Sequence, residues 1–181
     1  MFVLTSSRLK LIPLDNSLLS LWRQFGREAV EKELNLRPNN IVLEKFYANE
    51  MNDAMVNYWL PMTHKFPLDF MWYTNWEIIL TASSCSIGGI GLAGLPDNAG
   101  TTEIGYALDE KFRGNGYAAE AVDTLSKWAF RDADLQILRA ETPCENIASQ
   151  RVLHVNNFIQ TGQKSIDCPE PLEVFTWERH R

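Results

Sequence analysis

The sequence predicts one α/β (α+β) domain spanning residues 1–181, in which a mixed sheet has helices packed on its faces. Three observations support this fold class. The chain has 181 residues, about the length of one domain and enough to bury a sizeable core. Its hydrophobic fraction of 45% and charged fraction of 22% are typical of globular proteins. Strand and helix patterns follow one another in the order β-α-α-β-β-β-α-β-α-β-β.

The first strand and two helices are predicted before residue 61. Residues 8–14 form an apolar stretch typical of a strand. Residues 15–17 then offer N-cap oxygens to a helix with apolar residues at helical spacing through Ala29. Residues 37–40, which include Pro38, end this helix, and a second helical pattern follows. Residues 61–73 contain two prolines and many aromatic residues without a regular period, so we predict a packed loop there.

Three consecutive strands are predicted in the middle of the chain. Residues 76–81 and the glycine-rich residues 88–93 are expected to pair as a hairpin. The turn at residues 96–98 leads to the third strand, residues 102–108.

The last third of the chain alternates between helix and strand. Residues 117–131 predict a helix with a single apolar stripe, and its exposed side pairs Asp123 with Lys127. Residues 136–141 predict a strand and residues 146–156 another helix, which Asn157 would end in the left-handed conformation. Residues 158–161 and 173–177 predict the two final strands.

Charge and cysteine content exclude several classes of protein. The net charge is −6 with no basic stripe, so we expect no nucleic-acid partner. Cys85, Cys144 and Cys168 are far apart and lack a C-x-x-C pair, which predicts reduced thiols, no disulfide framework and no metal site. No apolar run is long enough for a membrane span or a signal peptide, so we expect a cytoplasmic protein that does not associate with membranes.

The segment R-G-N-G-Y-A has the properties of an anion-binding helix start. Two glycines without Cβ atoms allow a tight bend and a close approach of the backbone to a ligand. The first N–H groups of the following helix lack intrahelical partners, and the helix dipole favours an anion beside them. A diphosphate fits this arrangement. The residues of this glycine turn are Arg113, Gly114, Asn115, Gly116, Tyr117 and Ala118.

Two other interpretations of the glycine turn remain open from the residues alone. It also satisfies the loose dinucleotide pattern G-x-G-x-x-A, with Glu141 as the ribose-binding acid of a nicotinamide-dependent oxidoreductase. That pattern expects its first glycine directly after a strand and several βαβ units afterwards, whereas residues 109–113 intervene and little chain follows. The other interpretation is a purely structural helix start.

A wider stretch around the glycine turn resembles the GNAT superfamily of N-acetyltransferases, whose diphosphate motif is R/Q-x-x-G-x-G/A. Arg113 takes its first position, Gly116 the fourth and Ala118 the last. Residues 103–106 (E-I-G-Y) and 146–153 resemble the branch that contains the RimJ/RimL-type ribosomal-protein N-terminal acetyltransferases. The resemblance covers about residues 103–158. It implies a twisted, largely antiparallel sheet, acetyl-CoA as cosubstrate, no metal and an amine acceptor.

The resemblance also implies roles for individual residues. The strand residues Tyr106, Ala107 and Leu108 would pair with the pantetheine arm, and the Leu108 amide would lie near the thioester oxygen. The glycine turn would hold the diphosphate. Asn146 would reach the pantetheine, serve as a plain N-cap, or do both, and Ser149 would lie near the sulfur.

Catalysis needs a base and a means of releasing the thiolate. Glu103 is the candidate base; the alternative is a surface glutamate on an alternating strand. Leu153 stands where many superfamily members have a tyrosine, so Ser149 or water would supply the proton, or the thiolate would leave unassisted.

The acceptor and the assembly state remain open in the sequence. The branch favours a protein or peptide N-terminus. A polyamine, an amino-bearing antibiotic and a catalytically weak coenzyme-A-binding module are the alternatives, and both a monomer and a homodimer are compatible with the sequence.

Overall fold

The structure, a computed structural model, describes residues 1–166 and 171–181. The strands are β1 Leu4–Thr5, β2 Leu9–Pro13, β3 Asn75–Leu80, β4 Cys85–Leu92, β5 Thr101–Leu108, β6 Ile137–Pro143, β7 Ile159–Ile166 and β8 Leu172–His180. The α-helices are α1 Asn16–Phe25, α2 Arg27–Glu33, α3 Lys45–Ala54, α4 Leu60–Lys65, α5 Tyr117–Ala129 and α6 Ile147–Val155. Cys85 and Cys144 are free thiols, and Cys168 lies outside the described residues.

One mixed sheet organises the molecule, as predicted. Its strand order is β1-β2-β3-β4-β5-β6-β8-β7. Among the strands that the structure describes, only β5 and β6 pair in parallel; the other neighbours are antiparallel. The predicted order of the strands, and of α5 and α6 among them, is therefore confirmed, with the short strand β1 added at one edge. Of the helices within residues 1–166 and 171–181, none has the length and apolar character needed to cross a membrane.

Helices cover both faces of the sheet. Successive side chains of a strand point to opposite faces, so neighbouring residues of one strand can contact helices on different sides. Trp76 on β3 packs against Trp128 of α5, with ring centroids 5.1 Å apart. Its neighbour Glu77 is on the other face, where it forms an ion pair with Arg27 of α2. Leu153 of α6 belongs to the same core cluster as Trp76. Helices α5 and α6 thus pack on one face and α2 on the other.

The predicted first helix is divided by a glycine. Residues 16–29 were expected to form one helix, but α1 ends at Phe25 and α2 begins at Arg27. Gly26 has a φ of 84° and donates its N–H to the Trp22 carbonyl, so it ends α1 in a conformation that glycine adopts without a Cβ clash.

The prediction of a loop at residues 61–73 was wrong in its first part. Helix α3 continues through a π-helical turn, Met55–Trp59, into α4, and a 3₁₀ turn follows at Phe70–Trp72. The N–H of Leu60 donates to Met55, five residues back. This widened turn is where Pro61 enters the helix, and it accommodates a residue that lacks an N–H and crowds the preceding turn.

The second half follows the predicted pattern closely. Asp123 and Lys127 form an exposed ion pair of 2.6 Å on α5. Asn157 has a φ of 62°, and the N–H groups of Asn157 and Phe158 bond back to the carbonyls of His154 and Leu153. The predicted left-handed termination of α6 is confirmed, and it directs the chain into β7.

Candidate active site

The N-terminus of α5 is open. Strand β5 ends at Leu108, a 3₁₀ turn spans Glu110–Phe112, and α5 begins at Tyr117. Gly114 and Gly116 have φ values of 76° and 78°, which non-glycine residues rarely adopt. Within the described residues, no side chain caps the helix. The N–H groups of its first turn therefore have no side-chain acceptor there, as an anion-binding helix start requires.

The predicted cation of the glycine turn has an acidic partner. Arg113 Nη1 lies 2.5 Å from Glu44, the residue that precedes α3. The Asn115 side chain is also engaged, because its Nδ2 donates to the carbonyls of Phe112 and Arg113 at 3.2 and 3.0 Å. Both side chains brace the turn, and its ligand-facing groups are the backbone amides and the two glycines.

A second arginine, which sequence analysis missed, lies at the same helix start. Arg8 belongs to the connection between β1 and β2, and its guanidinium carbon is 4.5 Å from the centroid of the Tyr117 ring. Its Nη1 donates to the Asn115 carbonyl at 3.0 Å, and its Nε donates to Glu120 at 2.7 Å. More than one hundred residues separate Arg8 from these partners, and no local pattern indicates such a contact.

Strands β5 and β6 part beside this helix start. They pair only from Thr101/Ile137 to Glu103/Arg139, although β5 continues to Leu108 and β6 to Pro143. We call the space between these two unpaired segments the β5–β6 cleft. Such a gap inside a sheet leaves backbone groups directed at whatever occupies it.

The amides of Tyr106 and Leu108 point toward the cleft. On the other side of β5, Asp109 donates its N–H to Ile87 of β4 and Glu103 accepts from Ala93, both at 2.9 Å. Because alternate residues of a strand direct their backbone groups to opposite neighbours, the even-numbered residues face the β6 side. Gly88 of β4 permits close packing here, since a Cβ atom on it would overlap the Ala107 carbonyl.

A polar network connects β5 to the start of α6. The Tyr106 hydroxyl lies 2.9 Å from Ser149 Oγ, and the Ser149 N–H donates to Asn146 Oδ1 at 3.0 Å. Burial raises the pKa of Tyr106 well above its usual value, so its hydroxyl stays protonated at neutral pH. Asn146 is the N-cap of α6, which confirms the structural half of its prediction. Leu153, at the position where a tyrosine is common, is fully buried in the core.

Tyr47 of α3 extends this network from the opposite side and was not identified from the sequence. Its hydroxyl accepts a hydrogen bond of 2.7 Å from Asn146 Nδ2. Burial raises the pKa of Tyr47, so this hydroxyl too is protonated at neutral pH. Residue spacing gave no signal for Tyr47, because it meets Asn146 across 99 residues of chain.

Glu103 lies on the other face of the sheet from α5. It is adjacent to Ile104, which is buried in the core cluster that includes α5, and it pairs in register with Arg139 of β6. The residue is accessible to solvent, but the surrounding strands remove part of its carboxyl hydration. This desolvation is the largest cause of a raised pKa for Glu103, and the Glu141 carboxylate raises that pKa further.

Ion pairs surround Glu103 on this open face. Arg139 donates to Glu178 at 2.8 Å, and Lys164 lies 2.6 Å from Glu141. The positive charges of Arg139 and Lys164 lower the pKa of Glu103 and so oppose the effect of Glu141. Glu103 is therefore an accessible carboxylate whose proton affinity exceeds that of an ordinary glutamate, as a general base requires.

Comparison with known proteins identifies the family of this arrangement. Residues 23–158 match the acetyltransferase (GNAT) domain family. The chain belongs to the GNAT acetyltransferases. It is 32% identical over 87 residues to the uncharacterized N-acetyltransferase YjdG of Bacillus subtilis (strain 168), an alignment that covers 48% of this chain and 52% of that protein. This GNAT chain spans about half the length of the curated relatives that it matches.

Solved structures share the fold of this GNAT chain. A ribosomal-protein-S5-alanine acetyltransferase from Vibrio fischeri superposes with a TM-score of 0.67 and 16% identity, covering 99% of this chain and 97% of the other. RimL, a ribosomal L7/L12 α-N-protein acetyltransferase crystallised with coenzyme A, gives a TM-score of 0.65 and 16% identity, covering 99% and 98%. At these identities the likeness concerns the fold.

The predicted site residues of this GNAT chain fall into two groups. The glycine turn, the Tyr106 and Leu108 amides, Asn146 and Ser149 belong to β5 and to the starts of α5 and α6. The prediction for Ala107 needs correction, because its backbone amide faces β4, where Ala107 pairs with Gly89. Glu103 is on the same strand as Tyr106 but on the opposite face of the sheet, so the two groups meet at β5.

Proposed function

We propose that the chain is an acetyl-CoA-dependent N-acetyltransferase that acetylates a primary amine by direct attack on the thioester. The uncapped start of α5, next to the β5–β6 cleft, is the observation that supports this proposal most strongly. Its free N–H groups suit a diphosphate, and the Tyr106 and Leu108 amides suit the amide-containing pantetheine arm. Bound acetyl-CoA would supply an acetyl group activated as a thioester, with a thiolate as its leaving group.

The two proton transfers involve side chains on opposite faces of β5: Glu103 on one face, and Ser149 with Tyr106 on the other. Glu103 takes a proton from the acceptor ammonium, directly or through a water, which frees the nitrogen lone pair for attack on the carbonyl carbon. The Leu108 N–H donates to the carbonyl oxygen as negative charge develops there. As the carbon–sulfur bond breaks, the Ser149 hydroxyl gives its proton to the sulfur and takes one from the protonated Tyr106 hydroxyl, 2.9 Å away. The second proton that the acceptor nitrogen loses as the amide forms returns to Tyr106 through solvent.

We further propose that the acceptor is a protein or peptide N-terminus. Glu103 lies on an accessible sheet face, which a chain terminus can reach. An α-amino group with a pKa of about 8 is also easier for a carboxylate to deprotonate than an alkylamine with a pKa of about 10. RimL, which shares the fold, is an α-N-protein acetyltransferase of ribosomal L7/L12.

The test is a thiol-release assay with acetyl-CoA and a panel of amines. The panel contains short peptides that differ at the first residue, the same peptides with blocked N-termini, polyamines and aminoglycosides. We expect release with free N-terminal peptides and none with the blocked ones. Preference for a polyamine or an aminoglycoside would reject the acceptor, and no binding of acetyl-CoA by calorimetry at micromolar concentrations would reject the function.

The second candidate is a coenzyme-A-binding module with weak catalysis. One observation favours it: Leu153 is fully buried and cannot donate a proton where many GNAT members have a tyrosine. Tight binding of acetyl-CoA without thiol release from any amine in the panel would establish this alternative.

A further inference from the structure

We propose that Arg8 supplies the cationic side chain that binds the diphosphate of coenzyme A at the start of α5. The sequence motif assigns that charge to Arg113. The proposal rests on the proposed function, since it concerns the same cofactor, but it has a separate test.

The geometry around Gly116 supports the proposal. A Cβ atom built on Gly116 would lie 3.5 Å from Arg8 Nη2, so this nitrogen is next to the point where the backbone must remain bare for a ligand. Arg8 Nε and Nη1 are held by Glu120 and by the Asn115 carbonyl, and the guanidinium stacks over the Tyr117 ring. The planar group is thus fixed on three sides, with Nη2 beside the open helix start.

Arg8 also neutralises the carboxylate of Glu120 at this helix start. This carboxylate is in the first turn of α5, and hydrogen bonds from Ser6 and Arg8 lower its pKa, so it is ionised at neutral pH. An uncompensated carboxylate here would repel a diphosphate. Arg8 neutralises it through an ion pair of 2.7 Å and still leaves Nη2 for the ligand. The Arg8–Glu120 pair therefore permits an acidic residue at an anion-binding helix start.

Arg113 is less well placed for this role. Its Nη1 is paired with Glu44, and no stacking contact fixes its guanidinium plane within the described residues. That ion pair connects the glycine turn to the start of α3. We infer that Arg113 mainly stabilises the turn and that Arg8 faces the ligand.

Calorimetric titration with coenzyme A tests the assignment in four variants of the full chain. Arg8→Gln is expected to weaken coenzyme A binding roughly 10- to 100-fold, the range of one charge-assisted hydrogen bond. The loss of affinity in Arg113→Gln is expected to be several times smaller than the loss in Arg8→Gln. Lys127→Gln removes an exposed lysine of the same helix and is the matched charge control, with affinity within about threefold of wild type.

Ser6→Ala separates ligand binding from structural support, because it removes one hydrogen bond that connects the β1–β2 connection to Glu120 of α5 and leaves the Arg8–Glu120 pair in place. We expect this variant to retain affinity within about threefold. A loss equal to that of Arg8→Gln would mean that the connection is only structural and would overturn the proposal. Unchanged affinity in a folded Arg8→Gln variant would also overturn it.

Titration with 3′-dephospho-coenzyme A identifies the phosphate involved. An equal fold-loss for the two ligands on Arg8→Gln supports a diphosphate contact, whereas a loss confined to coenzyme A assigns Arg8 to the 3′-phosphate and rejects the proposal. If the wild-type protein binds neither coenzyme A nor its dephospho form, the proposed function itself fails. That outcome differs from the two results expected for Arg8→Gln.

Discussion

The glycine turn and the open face around Glu103 are built in different ways. Six consecutive residues form the glycine turn, and its ligand-facing groups are mainly backbone amides. The open face combines side chains from β5, β6, β7 and β8, which lie far apart in the chain. A backbone site is encoded locally, so a short motif reveals it, whereas a side-chain site depends on strand register and is recognised only in the fold.

The electrostatic designs of these two regions differ as well. At the glycine turn, the helix dipole favours an anion in a chain whose net charge is −6, and each of the two arginines there is paired with a glutamate. On the open face, carboxylates alternate with cations, and the balance between them adjusts the pKa of Glu103. In the proposed function, the first region attracts an anion, and the second sets the proton affinity of the Glu103 carboxylate.

The largest expected effect is at the glycine turn. Gly116→Glu should weaken coenzyme A binding by more than about 100-fold, because it places a side chain and a negative charge at a position with a φ of 78°. Calorimetry measures the affinity. Gly116→Gln is the matched control, since it adds a side chain of the same size at the same φ without the negative charge. Equal losses in both variants would attribute the effect to the backbone conformation and the side-chain volume and not to charge.

Glu103→Gln should slow catalysis at the open face around Glu103 and leave cofactor binding at the glycine turn unchanged. We expect kcat to fall about 100-fold, the lower end of the range for a general base, with the Kd for acetyl-CoA within about twofold. Steady-state kinetics with the preferred amine gives kcat, and calorimetry gives Kd. A rate that matches wild type across the pH range would remove Glu103 from the role of base.

The pH profile sharpens the electrostatic half of the comparison. A base must be deprotonated, so kcat should fall as pH drops through the pKa of Glu103, which is raised above the ordinary glutamate value. Lys164→Gln removes a charge that lowers this pKa, so the acidic limb should move to higher pH, by an amount that solvent screening keeps small. Lys127→Gln should leave the limb in place. A shift to lower pH would contradict the assignment.

The smallest expected effect is at Tyr47. Tyr47→Phe removes the acceptor for Asn146 Nδ2, which should lower stability by about 1 kcal/mol and kcat/KM for the amine by a few-fold. Thermal melting and steady-state kinetics measure the two effects. An acetyl-CoA affinity reduced more than the amine parameters would place Tyr47 with the glycine turn instead.

The sequence predicted the parts of the fold that depend on local patterns. The strand order along the chain, the start of α5 at Tyr117 and the left-handed Asn157 all follow from hydrophobic period and glycine or asparagine chemistry. The break at Gly26 carried a local signal that the apolar period through Ala29 outweighed. The helix at residues 60–65 was missed because Pro61 usually marks a boundary, and here a π-helical turn accommodates it.

The candidate site was predictable only where its residues are neighbours in the sequence. The glycine turn and the β5 residues came from one motif, and Ser149 came from the resemblance of α6. Arg8 and Tyr47 contact the site across 107 and 99 residues of chain, and only the assembled sheet and helices bring them there. The diversion of Arg113 to Glu44 could not be foreseen for the same reason.

Strand β5 lies in the middle of an eight-stranded sheet and yet, along half its length, has the exposed hydrogen-bonding groups of an edge strand. Its consecutive amides should therefore differ in hydrogen exchange: Asp109, bonded to β4, should be protected, and Leu108 should exchange faster. At the edge of a sheet, such unpaired backbone groups could form hydrogen bonds with a strand of another chain. Enclosure by β6 and by the Tyr106–Ser149 contact shields those of β5 from that form of aggregation.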